Sequence, residues 1–256
     1  MADAIQLSNG IGEISIDDIE LHPSALGILF PSMEGKVTDI DMDRIRFPGP
    51  DVVKCYEIIA ASIRRNHTLE TLTWIDNQIL SDDQADLLVK AVKDNRSINT
   101  LTLNNCFNQS YNNGCKALAS LISSGRHVNC LDFRENGLAG IDDVAAALAT
   151  NPQLETLWIS DNDLNDRDAE LIAEALKQNT NLKVLTLRGS NITSGGLENI
   201  ETAIYDPSSL NAIEYCNHTC HIDRVEGNIN SMSPQQRRNK KLYKLLSTRH
   251  LDGSNA

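Results

Sequence analysis

A pattern of apolar-x-x-apolar-x-apolar-x-x-Asn-x-apolar returns about every 28 residues through most of this 256-residue chain. A period of that length constrains the fold more than any other feature, because each unit is too small to bury its own apolar face and must stack on its neighbours. The clearest copy runs Leu154, Leu157, Ile159, Asn162, Leu164. Others begin at Leu69, Ile98, Val128 and Leu182, and weaker ones at Ile11, Val37 and Leu210. The eight starts lie 26, 32, 29, 30, 26, 28 and 28 residues apart. Within a unit the first half alternates apolar and polar, as a strand with one buried face does. The second half has helical spacing, as in Ala169, Ile172, Ala173 and Leu176, or Leu197, Ile200 and Ile204. Asn66, Asn95, Gly125, Asn151 or Asn179 stands three residues before a unit, where a left-handed residue that closes the preceding helix is expected.

This order of strand, loop and helix resembles the leucine-rich repeat of the ribonuclease-inhibitor-like class. The resemblance covers about residues 11 to 220. It implies an α/β fold: a right-handed solenoid shaped as a horseshoe arc, with a parallel inner sheet of about eight strands and helices outside. Residues 1–230 would form the solenoid and 231–256 a C-terminal capping helix and tail. The Asn at the ninth position of a unit would pair backbone groups where the chain leaves the strand. Asn77, Asn136 and Asn162 fit that role and Cys106 replaces it, whereas Ser190, His218, Ile19 and Ile45 depart from it. Ser233-Pro234-Gln235-Gln236 reads as a capping box, followed by an apolar stripe of Leu242, Leu245 and Leu246.

Aromatic residues make up only 4% of the chain, so the core must rest on Leu, Ile, Val and Ala. No apolar run is long enough to span a bilayer, and Met1–Gly10 lacks the pattern of a secretory signal. A cytoplasmic protein with free thiols is expected, a nuclear one being the alternative. The formal charge of −12 argues against a nucleic-acid partner, and the want of a spanning apolar run against a membrane one. That charge is uneven: residues 1–50 carry nine acids against three bases, and residues 231–256 carry one acid against six bases. Arg237-Arg-Asn-Lys-Lys241 is read as the solvent face of the last helix rather than as an import signal.

Alternation places the third, fifth and seventh residues of each unit on the concave face. Asp39, Asp41 and Asp43 would form an acidic patch that steers a basic partner, since one strand face offers a cation no converging ligands. Trp158 takes an outward position between Arg134 and Arg188, and an exposed indole flanked by two arginines is a candidate hot spot. The competing arrangement pairs the arginines with Asp132 and Asp161. Cys216, His218, Cys220 and His221 carry zinc-ligand chemistry at a spacing unsuited to one ion, and structural use is expected. No nucleophile, phosphate-loop or metalloprotease motif occurs, so no catalytic residue, metal or cofactor is assigned. The expected function is a non-enzymatic, monomeric protein-interaction scaffold. The alternatives are regulation of a small GTPase, in the manner of the Ran GTPase-activating proteins, and cytoskeletal capping.

Overall fold

The computed structural model describes residues 2–8, 10–107, 113–126, 128–223 and 232–253. A short helix, α1 (Ala2–Leu7), precedes the units. Then follow β1 (Glu13–Asp17), α2 (Pro23–Met33), β2 (Asp39–Asp43), α3 (Val52–Arg65), β3 (Thr71–Ile75) and α4 (Asp82–Asp94). The next units contribute β4 (Thr100–Asn104), α5 (Asn113–Ile122), β5 (Cys130–Asp132), α6 (Asp142–Ala149), β6 (Thr156–Trp158), α7 (Asp166–Gln178), β7 (Val184–Thr186) and α8 (Ser194–Ile204). Helix α9 (Leu210–Glu214), β8 (His221–Ile222) and α10 (Pro234–Gly253) close the chain. All eight strands form one parallel sheet in sequence order, and the alternation places seven of them where they are found. This is the leucine-rich-repeat solenoid.

The core is one continuous sandwich between the sheet and the helices. Even-numbered strand positions such as Ile40, Leu72, Leu101, Leu157 and Leu185 point into it and are almost fully buried. Each meets the apolar stripe of a helix, for example Ile172, Ala173 and Leu176 of α7. Local sequence starts that helix cleanly: Asn165 accepts from Arg167 N and Asp168 N, while Asp168 accepts from Asn165 N, a reciprocal cap. Trp74 sits in the core against Phe47 and Tyr56, with its indole N–H donated to Asn77 O at 3.2 Å.

The ninth-position asparagines do the work expected of them. Asn162 Nδ2 donates to Phe133 O, Ile159 O and Ser160 O, and its Oδ1 accepts from Asn136 N and Leu138 N. Asn136 repeats this one unit earlier, on Leu103 O, Cys106 N and Phe107 N. Just before them lies a feature the sequence reading missed. The eighth residue of every one of the first seven units (Asp18, Arg44, Asp76, Asn105, Glu135, Asp161 and Gly189) has positive φ, between 48° and 72°. In the first six of these the backbone N–H donates across to the next unit, from Asp18 N to Asp43 O through to Asp161 N to Arg188 O, and so extends the sheet beyond its strands.

Three expectations need correction. Asn66, Asn95 and Asn179 do not close helices in the left-handed region: their φ values are −80°, −80° and −93°. They are buried instead, and their side chains tie successive units together, as when Asn95 Nδ2 donates to Ile63 O and Asn66 O. Only Gly125 and Asn151 of that set have positive φ.

The last unit does not put a strand at Ala212, Glu214 and Cys216. Those residues belong to, or follow, the short helix α9, and β8 pairs His221 with Val184, 37 residues on rather than 26 to 32. The apolar spacing of Leu210 and Ile213 suits a helix, and the repeat resumes only at Asn217, which takes the inter-unit role of Asn179 by donating to Leu176 O and Asn179 O. His218 therefore holds no ladder position.

The C-terminal cap forms as expected at its start, where Ser233 N donates to Gln236 Oε1 and Gln236 N to Ser233 Oγ. Its buried stripe is different. Arg237, Lys241 and Leu245 are covered while Leu246 is exposed, so the basic run is a solvent face only in part, at Asn239 and Lys240. Residues 254–256 of the expected tail lie outside the described residues.

Candidate binding face

On β1 to β4 the outward positions hold Glu13, Ser15 and Asp17, then Asp39, Asp41 and Asp43, then a strip of Thr71, Thr73, Thr100 and Thr102. The structure brings the acids together in pairs of strands: parallel register sets Ser15 beside Asp41 and Asp17 beside Asp43. Ser15 Oγ donates to Asp41 Oδ2 at 3.2 Å and Thr38 Oγ1 to Asp39 Oδ2 at 2.5 Å. Arg44, turned outward by its left-handed backbone, binds Asp17 at 2.6 Å and Asp43 at 2.8 Å, with Asp76 at 3.9 Å. Asp41 and Asp43 each keep one buried oxygen without a hydrogen-bond partner. Burial pushes the Asp43 carboxyl above its usual range against the pull of Arg44, and the charges of Asp17, Asp76 and Asp41 add to the rise. One arginine among so many carboxylates leaves this end a negative field.

The other end is built differently. Asp132, expected on the open face, is 1% exposed because Arg134 folds back over it. Arg134 donates Nε to Asp132 Oδ1 at 2.9 Å and Nη2 to Oδ2 at 2.6 Å, and its backbone N–H reaches Oδ1 as well. The hydrogen bonds to Asp132 raise the Arg134 pKa, so its charge is fixed. The guanidinium carbon then sits 5.4 Å from the centre of the Trp158 ring, within range of a cation–π contact. Trp158 is half-buried rather than open, covered on one side by this arginine and flanked in register by Asp132 and Thr186.

Arg188 is exposed, and its guanidinium makes no ion pair or hydrogen bond among the described residues. The pairing with Asp161 is therefore absent; the two meet only through Asp161 N donating to Arg188 O at 2.7 Å. Cys130, at the third position of its unit and the first of β5, is half-buried, and burial assisted by Asp132 pushes its thiol up to about 11. A thiol at that value stays protonated and inert at neutral pH.

The two cysteines of the zinc-like set have separate partners. Cys216 Sγ accepts from Asp206 N at 3.1 Å and reaches Ala212 O at 3.3 Å, and Cys220 Sγ reaches His221 O. Burial, then the charge of Lys241, lowers the His218 pKa, so that its ring is neutral. Among the described residues, no group of three or more His, Cys, Asp or Glu side chains is placed to hold a metal ion. No helix among them is long and apolar enough to cross a membrane.

No family model matches the chain. It is 24% identical over 199 residues to the ribonuclease inhibitor of Sus scrofa, which covers 76% of this chain and 43% of that protein, so the chain spans less than half of that relative's length. Among solved structures it is similar to leiomodin-1 actin-binding site 2, with a TM-score of 0.44, 14% identity, and coverage of 68% of this chain and 94% of the other. It is also similar to a chain of the Rad7 and Elc1 complex in yeast, with a TM-score of 0.44, 12% identity, and coverage of 84% and 63%. The repeat pattern, the sheet and the curated relative agree on a leucine-rich-repeat protein of the ribonuclease-inhibitor-like kind.

Proposed function

We propose that this chain is a non-enzymatic, monomeric cytoplasmic scaffold that holds a protein partner on its concave face. One observation carries the reading: Trp158 on β6 is kept half-open on that face by an arginine whose own charge is neutralised from below by buried Asp132. A large ring held in one orientation costs little further entropy on binding, which is what makes aromatic and arginine side chains frequent hot spots. Arg188 supplies an unpaired cation beside it for an acidic or carbonyl group of the partner. The acidic strands at Asp39, Asp41 and Asp43 would receive the partner's basic residues. Regulation of a GTPase is the second reading: it would need an arginine free to reach a phosphoryl group, and since Arg134 is bound to Asp132 that role would fall to Arg188.

Affinity capture from a native lysate, followed by titration of the purified partner, tests this. Trp158→Ala should weaken binding by at least about 2 kcal/mol while costing little stability. In a Trp74→Phe background the emission of Trp158 should shift to the blue on binding. Unchanged affinity in Trp158→Ala and in Asp41→Lys would place the partner elsewhere and overturn the reading.

A further inference from the structure

Two residues of the basic run that starts α10, Arg237 and Lys241, are buried. Arg237, Lys240, Lys241 and Lys244 stand at positions i, i+3, i+4 and i+7, hence on one side of the helix, and together they line a cavity of about 500 Å³ between α10 and α8. That size lies in the range of small-molecule sites. Arg237 is only 7% exposed; its Nη1 donates to Thr219 O at 2.7 Å, but its Nε–H is buried with no acceptor. A buried guanidinium N–H without a partner is costly, and the same side chain brings its positive charge to the cavity wall. Lys241 is anchored through Nζ to Asn217 O at 2.9 Å, while Lys240 and Lys244 are exposed at the mouth.

The rest of the wall is of two kinds. Ile204, Pro207, Met232 and the ring of Tyr205 give it an apolar side, and Lys244 Nζ packs 4.6 Å from the centre of that ring, which fixes its plane. Glu198 and Glu201 of α8 give it two carboxylates against four cations. The surplus of two positive charges matches a phosphate monoester, which carries about −1.5 to −2 at neutral pH. The two carboxylates are suited to accept hydrogen bonds from hydroxyls. An apolar wall, hydroxyl acceptors and a cationic end describe a phosphorylated organic alcohol better than a bare anion.

We propose that this cavity binds a phosphate monoester of a small alcohol, with Arg237, Lys240 and Lys244 holding the phosphate and Tyr205, Ile204 and Met232 covering the organic part. The site lies between two helices at the C-terminal end of the solenoid, so it is separate from the partner-binding reading of the concave face and stands or falls without it.

Isothermal titration of the full chain with adenosine monophosphate and with glucose 6-phosphate tests the proposal, with adenosine, glucose and inorganic phosphate as controls. At least one monoester should bind about tenfold or more tightly than inorganic phosphate, and the unphosphorylated compounds should give no heat. Whichever monoester binds better tells a nucleoside from a sugar. The double variant Lys240→Ala/Lys244→Ala, altered only at exposed positions, should melt like the parent and bind at least about tenfold more weakly. Arg237→Gln should weaken binding as well, and its melting curve shows whether it folds. No heat from either monoester at millimolar concentration, equal binding of inorganic phosphate, or full affinity in the double variant would each overturn it.

Discussion

Asp43 and Asp132 occupy opposite regions of one concave face, and each lies beside an arginine, yet the two regions behave as different devices. Asp43 shares Arg44 with Asp17 and Asp76; its side chain is 23% exposed and that of Arg44 is 49% exposed. Asp132 has Arg134 to itself, through two side-chain hydrogen bonds, and its side chain is 2% exposed. Three carboxylates around one base leave an excess of negative charge that reaches into solvent. A one-to-one pair on a buried carboxylate cancels its charge and leaves only geometry, in this case a guanidinium aligned on a tryptophan. The first device acts on a partner at a distance and is screened by salt; the second acts at contact.

The largest test of this difference is mechanical support at the strand ends. Asn162→Ala strips five hydrogen bonds beside the Trp158 strand, leaving Asn136 N and Leu138 N buried without acceptors, and should cost about 3 kcal/mol or more by chemical denaturation. Asn77→Ala, on the acidic side, loses only the bonds to Met42 O and Ile45 N and should cost about half as much. Equal losses would show that both regions are held alike.

Gly189→Ala comes next, at about 2 kcal/mol, because φ there is +72° and an added Cβ would fall 2.0 Å from Asp161 Oδ1. Combining it with Asp161→Ala should recover part of that loss, which thermal melts of the two variants would reveal.

A smaller, kinetic effect separates steering from anchoring. With a purified partner, Asp41→Lys should slow association and flatten its salt dependence over the range where the Debye length falls from about 30 to about 8 Å. Trp158→Ala should speed dissociation and leave association almost unchanged. The reverse pattern in stopped-flow traces would exchange the roles of the two regions.

The smallest effect is on pH. The Asp43 carboxyl is raised above its ordinary value of 3.8, so its neutral form is favoured in the fold; that contribution is complete below 3.8 and is lost as pH rises through the raised value. Asp43→Asn should remove this loss and raise stability at neutral pH by less than about 1 kcal/mol. A variant less stable at neutral pH than the parent would mean that the bond to Arg44 outweighs the burial.

Period alone made the first seven strands legible, because a two-residue alternation followed by helical spacing survives substitution at single sites. Trp158 at an odd position was legible for the same reason. Its cover was not: β6 ends at Trp158, and whether Arg134 extends outward or folds back onto Asp132 is decided by side-chain hydrogen bonds that no spacing encodes. The left-handed eighth positions did leave a signal, since Asp, Asn and Gly fill five of the seven and those residues tolerate that conformation best. The helix-stop asparagines misled because the same residue type serves equally well as an extended, buried hydrogen-bonding bracket. Leu210 and Ile213 misled because two apolar residues three apart fit the repeat template and a helical turn alike.

The uneven pairing of the strands also sets how the molecule would bear a load. Hydrogen bonds between successive units run along the long axis of the stack, so a pull applied at its two ends is carried by each joint in series. The joint between β1 and β2 spans five residues of each strand, whereas that between β7 and β8 spans two. In a series of unequal links the weakest gives way first, and stretching should part the C-terminal cap from the array while the first seven units remain intact.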